Sequence, residues 1–75
     1  MDEGFILSNK FRRSIFDEIA SGETDIYIIA KKHHIIFKVA VRVADEFIKG
    51  GILEKKGKKY ILTEGGERLA TNIRG

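Results

Sequence analysis

Apolar residues recur at helical spacing in four stretches of this chain and alternate like a strand in one short region. In the first stretch Phe11, Ile15, Phe16 and Ile19 share one side, while Arg12, Arg13, Asp17 and Glu18 fall mostly opposite. That pattern predicts a helix capped by Ser8 or Asn9 and ending near Gly22, preceded by a short apolar lead, Phe5 to Leu7. Thr24 or Asp25 can cap a second helix over "IYIIAKKHH", residues 26 to 34, with Ile26, Ile29, Ala30 and His33 on one face and Lys31 and Lys32 outside. So short a helix needs tertiary support.

Residues 35 to 49, "IIFKVAVRVADEFIK", fit two templates. Ile35, Phe37, Val39, Val41 and Val43 alternate as in a strand, but the alternation fails at Asp45. Wound as a helix, the segment places Ile36, Ala40, Val43, Ala44 and Phe47 on one side and Lys38, Arg42, Asp45, Glu46 and Lys49 on the other. The helix accounts for every charge and is the reading adopted. The β-branched residues lower helix propensity by a few tenths of a kcal/mol each, roughly, which burial of one face outweighs. Gly50 and Gly51 supply the stop.

From Ile52 the pattern changes to "ILEKKGKKYILT", two short strand-like runs around Gly57. This predicts a hairpin with Ile52, Leu53, Ile61 and Leu62 at its base, Tyr60 packing there as well, and Lys55, Lys56, Lys58 and Lys59 at its tip. Thr63 then caps a last helix from Glu64 to Arg74 with Leu69, Ala70 and Ile73 inside. Gly65 and Gly66 weaken the first turn of that helix, which points to close backbone packing or, as the lesser alternative, to the approach of a phosphate.

The chain has 75 residues and no Cys or Pro. That length suits a single domain, residues 1–75, in which nearly every apolar residue is needed for folding. It leaves little room for a deep catalytic pocket, and no nucleophile–base grouping or Gly-rich phosphate loop is present, so no enzymatic activity and no cofactor are expected. The chain shows no apolar run of membrane-spanning length, and its first residues are acidic where a signal peptide is basic, so a cytoplasmic protein with no membrane partner is expected. His33 and His34 are adjacent, pointing about 100° apart on a helix with no further ligand near, so no metal site is assigned. The net charge of +3 is unevenly spread: Lys31 to Lys59 holds nine Lys or Arg against three acids, and the rest holds five against eight. A segregated basic face calls for an anionic partner, and four crowded lysines at a hairpin tip repel one another until an anion sits among them.

Taken together, Ile28 to Leu69, "IIAKKHHIIFKVAVRVADEFIKGGILEKKGKKYILTEGGERL", resembles the winged helix-turn-helix DNA-binding domains, particularly the ArsR/MarR-type regulators of archaea and bacteria. The resemblance rests on Ala30 in the second helix, a short turn, a third helix ending in Phe47, Ile48 and Gly51, and a wing closing on "YILTEGG". It covers more than half of the chain, and "LSNKFRRSIFDEI" resembles the leading helix of such domains. The resemblance implies an α+β fold, a three-helix core with a β-hairpin wing and a C-terminal helix, and double-stranded DNA as partner. The third helix, about residues 37–49, is then expected in the major groove and the lysine wing, residues 55–59, on the backbone.

Within that frame the candidate contacts are Phe37, Lys38, Val41 and Arg42 on the helix and Lys55, Lys56, Lys58 and Lys59 on the wing. Arg42 suits a guanine edge because its planar fork can bond O6 and N7 together, Lys38 suits phosphate, and Val41 can touch a thymine methyl. Two positions depart from the family pattern: His34 stands where the turn usually has Gly, and Ile36 where the third helix usually has a Ser or Thr cap. That helix also carries no Asn, Gln or Ser, so the bidentate contact to adenine is missing and weak sequence specificity is expected. One module contacts little DNA, so a homodimer is expected, joined through Phe5 to Leu7 and the final helix. The alternative is a winged-helix protein-interaction or assembly module without sequence-specific DNA binding. RNA binding by the same basic face lacks a visible stacking platform.

Overall fold

The computed structural model describes residues 1–74. Its elements run α1 (Glu3–Leu7), α2 (Lys10–Ala20), α3 (Ile26–Lys32), α4 (Phe37–Lys49), β1 (Leu53–Lys56), β2 (Lys59–Leu62) and α5 (Glu64–Arg74). This is the expected three-helix core, hairpin and C-terminal helix, with one addition. The lead Phe5 to Leu7 belongs to a helix, α1, capped by the Asp2 carboxylate, which accepts from the Phe5 N–H at 3.0 Å. Five residues are too few to show a period, and what makes α1 worth forming is tertiary: Ile6 is fully buried.

Side-chain caps start the next two helices. Asn9 accepts from the Phe11 and Arg12 N–H groups, and Asp25 from those of Tyr27 and Ile28. All three core helices end alike, through a left-handed residue just past the helix and a pair of backbone bonds closing over the last turn. For α2 these are Gly22 N–H to Ile19 and Glu23 N–H to Glu18. For α3 they are His34 N–H to Lys31 and Ile35 N–H to Ala30, and for α4, Gly51 N–H to Ile48 and Ile52 N–H to Phe47. The left-handed residues are Gly22, His34 and Gly51, at φ of 110°, 55° and 79°. His34 therefore adopts the backbone that Gly would, and the turn keeps its geometry.

The buried side chains form one cluster. Ile15, Phe16 and Ile19 of α2 meet Ile26, Ile29 and Ala30 of α3 and Ala40, Val43, Ala44 and Phe47 of α4, and Phe16 and Phe47 pack edge to face at 6.1 Å. Three sequence expectations are corrected. Phe11 is 39% exposed, because the first turn of α2 lies beyond the edge of the core. Ile36 is the N-cap of α4, with φ −59° and ψ 130°, so it lies outside the helical register that would have turned it inward. It is 73% exposed, and Ile35 is buried instead. His33 caps α3 and is only half-buried, since it turns toward a carboxylate described below.

The hairpin pairs Leu53 with Leu62, Glu54 with Ile61, Lys55 with Tyr60 and Lys56 with Lys59. Gly57, at φ 62°, takes the first place of its two-residue turn. The Tyr60 N–H reaches across to the Thr24 carbonyl at 2.9 Å and ties the wing to the loop before α3. At the wing's other end the Thr63 hydroxyl donates to the Gly51 carbonyl at 2.6 Å and accepts from the Gly66 N–H at 3.1 Å. Thr63 thus caps α5 and pins it to the end of α4. Gly66 is buried here, and a Cβ on it would run into the Ile52 carbonyl, which gives the expected close backbone packing.

Candidate nucleic-acid interface

The first turn of α4 and the wing face each other across an open groove. Its walls are Phe37 and Val41 of α4, Asp25, Ile26 and Tyr27 from the start of α3, and Lys55, Lys58 and Tyr60 of the wing. The hairpin register explains which lysines are there. Lys55 shares a rung and a face with buried Tyr60, and its ammonium lies 5.4 Å from the Tyr60 ring centre. Lys56 and Lys59 form the next rung and project from the opposite face, where Lys56 pairs with Glu54 at 3.5 Å. The four wing lysines are therefore split two and two, a division set by strand alternation. Tyr60 is a packing residue at the base of the wing, as expected.

On α4, Phe37 and Val41 are one turn apart and line the groove, while Lys38 and Arg42 form the adjacent stripe and are exposed. Among the described residues neither Lys38 nor Arg42 has an ion-pair partner, and the same holds for Lys55 and Lys58. The cations elsewhere are engaged more often. Arg12 bonds Glu46 at 3.5 Å and lies 3.7 Å over the Phe5 ring, and Lys32 and His33 both meet Glu18, at 2.9 and 2.7 Å. The Glu18 carboxyl is held below its ordinary acidity range, first by the bond from Lys32 and then by that from His33, against some desolvation. That cluster joins α2 to the end of α3 just before the left-handed turn and so helps fix where α4 begins.

The structure also exposes residues that the sequence reading passed over. Tyr27 is 57% exposed and its ring meets that of Phe37 edge-on at 5.9 Å, with Phe37 itself 48% exposed. Lys31 lies 5.8 Å from the Tyr27 ring centre. Ile28 and Ile36 are exposed as well. The signal for Tyr27 and Ile28 was present: once Ile26, Ile29 and Ala30 face inward, the two residues between them face out. An aromatic pair therefore does stand on the basic face, contrary to the expectation that no stacking platform exists there.

No protein-family model matches the chain, and no curated protein matches it in sequence. Solved structures do. Quinone-bound YodB from B. subtilis is similar over 95% of this chain and 82% of its own, with a TM-score of 0.80 at 21% identity. The homodimeric winged helix-turn-helix DNA-binding domain (fragment 1–100) of Mb0332 from Mycobacterium bovis, described as a possible ArsR-family transcriptional regulator, is similar too. It matches over 95% of this chain and 70% of its own, with a TM-score of 0.74 at 26% identity. With its helix-turn-helix, two-stranded wing and closing helix, the chain is a winged helix-turn-helix domain.

Proposed function

We propose that this protein binds double-stranded DNA as a transcription regulator in the cytoplasm, with α4 in the major groove and the wing against the adjacent backbone. The observation that carries this reading is the set of cations with no ion-pair partner among the described residues: Lys55 and Lys58, which line the groove from the wing, and Lys38 and Arg42, on the exposed stripe of α4 beside Phe37 and Val41. Lys38 and the wing lysines, Lys56 and Lys59 included, meet phosphates, and Arg42 meets a guanine edge. With about four to six phosphates neutralised, log K for a labelled duplex falls against log salt with a slope of roughly −3.5 to −5.5. Changing Lys38→Glu together with Arg42→Glu abolishes binding at moderate salt. A flat salt dependence, or binding indifferent to the pair, defeats the reading.

A second reading, a protein-assembly module, is favoured by one observation: Tyr27, Ile28, Ile36 and Phe37 are large, apolar and exposed around the start of α4. Exposed apolar surface rimmed by charge is a common mark of protein contact. The salt titration separates the two, because an apolar protein contact has no polyelectrolyte slope.

A further inference from the structure

The apolar lead of α4 is an unusual feature for a face otherwise built of cations. Ile36 occupies a cap position where Ser, Thr, Asp or Asn would bond the first turn, and it makes no such bond. Phe37 follows it, half in solvent, steadied by the Tyr27 ring. Val41 continues the stripe one turn later, about 6 Å along the axis. A position that departs from the local rule of its element without gaining burial is where function is expected to show.

The surroundings say what this stripe can meet. Lys55 and Lys58 stand across the groove, Lys31 lies beside Tyr27, and Lys38 and Arg42 run alongside, with Asp25 the one acid in the lining. The matching surface carries negative charge on its rims and apolar groups on its floor. The major groove has that arrangement where thymine is present: phosphates along both edges, 5-methyl groups between them. The hydrogen-bonding repertoire agrees, since the outward side of α4 has no Asn, Gln, Ser or Thr with which to read adenine directly.

Resting on the DNA reading above, we infer that Ile36, Phe37 and Val41 are specificity residues that read thymine 5-methyl groups. The preferred site then carries thymines beneath the start of α4. Arg42, one turn beyond Lys38, remains the contact for guanine. Apolar readout of this kind distinguishes A·T from G·C by a methyl group and needs no bidentate bond.

The test removes the methyls and nothing else. Fluorescence anisotropy with the full chain compares an alternating dA·dT duplex, the same duplex with deoxyuridine for thymidine, and an oligo-dT single strand. Each buried methyl is worth about fourfold in affinity, so thymine is preferred over uracil by about fifteenfold when two are covered. Phe37→Ala lowers that ratio to about fourfold and Phe37→Ala with Val41→Ala brings it close to one, whatever either does to overall affinity; circular dichroism verifies that the variants are folded. Lys58→Ala weakens both duplexes and leaves the ratio intact. Equal binding of the thymine and uracil duplexes by the unaltered chain overturns the inference and leaves the DNA reading standing. Preference for the single strand also overturns it, assigning Tyr27 and Phe37 to base stacking. Failure to bind any duplex at low salt removes the DNA reading and this inference with it, and returns the apolar stripe to a protein partner.

Discussion

His34 shows most plainly how one residue carries the geometry of the helix-turn-helix. It adopts φ 55° between α3 and α4, with the backbone bonds that Gly22 and Gly51 make at the ends of α2 and α4. A left-handed backbone costs a residue with a Cβ roughly 1–2 kcal/mol, part of which Gly gives back as unfolded-state entropy. His34→Gly is therefore expected to raise stability by about 0.5 kcal/mol, whereas His34→Val, β-branched and least tolerant of positive φ, lowers it by more than about 1 kcal/mol. Chemical denaturation of the two variants checks the sign of each. A gain for Val would mean that the turn is not left-handed in solution. The same residue limits what the sequence alone could settle: His in the place usual for Gly puts the turn in question, and only the bond from Ile35 N–H to the Ala30 carbonyl, 2.8 Å, answers it.

At the scale of elements, α3 and α2 are joined through charge as well as through their apolar faces. Glu18 sits between Lys32 and His33 with its pKa lowered from the ordinary 4.5, the Lys32 bond contributing most and the His33 bond next. Since the folded value lies below the unfolded one, the stabilisation is fully present above the unfolded pKa and is lost as pH falls through the folded value. Glu18→Gln should cost about 1 kcal/mol at neutral pH, a modest figure because Lys32 is largely solvated, and almost nothing in strong acid where the carboxyl is protonated in both states. Thermal melts of both proteins from neutral to acidic pH test this; a gap that persists in acid would assign the loss to packing instead.

The elements themselves were largely legible from periodicity. Carried through to Lys49, the count made a helix of the valine-rich stretch, and the strand-like run around Gly57 is a hairpin with a Gly57–Lys58 turn. What could not be read was where an element meets something distant in sequence. The α1 helix exists because Ile6 finds a buried place, and Ile36 points outward because its backbone has not yet entered the helix. The candidate site divides in the same way. Lys38 and Arg42 follow from the helical wheel, while the meeting of Tyr27 with Phe37, and the separation of Lys55 and Lys58 from Lys56 and Lys59, depend on the tertiary fold and the strand register.

For the whole molecule, the charges and the apolar surface are unevenly placed, and this bears on assembly. Of the lead expected at a dimer interface, Ile6 is buried and Phe5 lies half-buried under Arg12, so Leu7 is what it leaves outside. Phe11 and Met1 are exposed too. We propose a homodimer through this region and the outer side of α5, which would double the phosphate contacts of a module too small to bind DNA tightly alone. Sedimentation at tens of micromolar is expected to show a dimer that Leu7→Asp with Phe11→Asp dissociates. A monomer under those conditions rules the assembly out.

The single main-chain bond from Tyr60 to Thr24 also determines how the wing behaves mechanically. Beyond that anchored rung only the Lys56–Lys59 rung and the two turn residues project, a cantilever about 7 Å long at the usual rise per strand residue. A beam so short has little room to sway. Lys58 is thereby kept near one offset from α4, like the second jaw of a caliper, and on the DNA reading proposed above a duplex whose phosphates lie at another spacing would have to bend to meet both, at an energy that depends on its own stiffness.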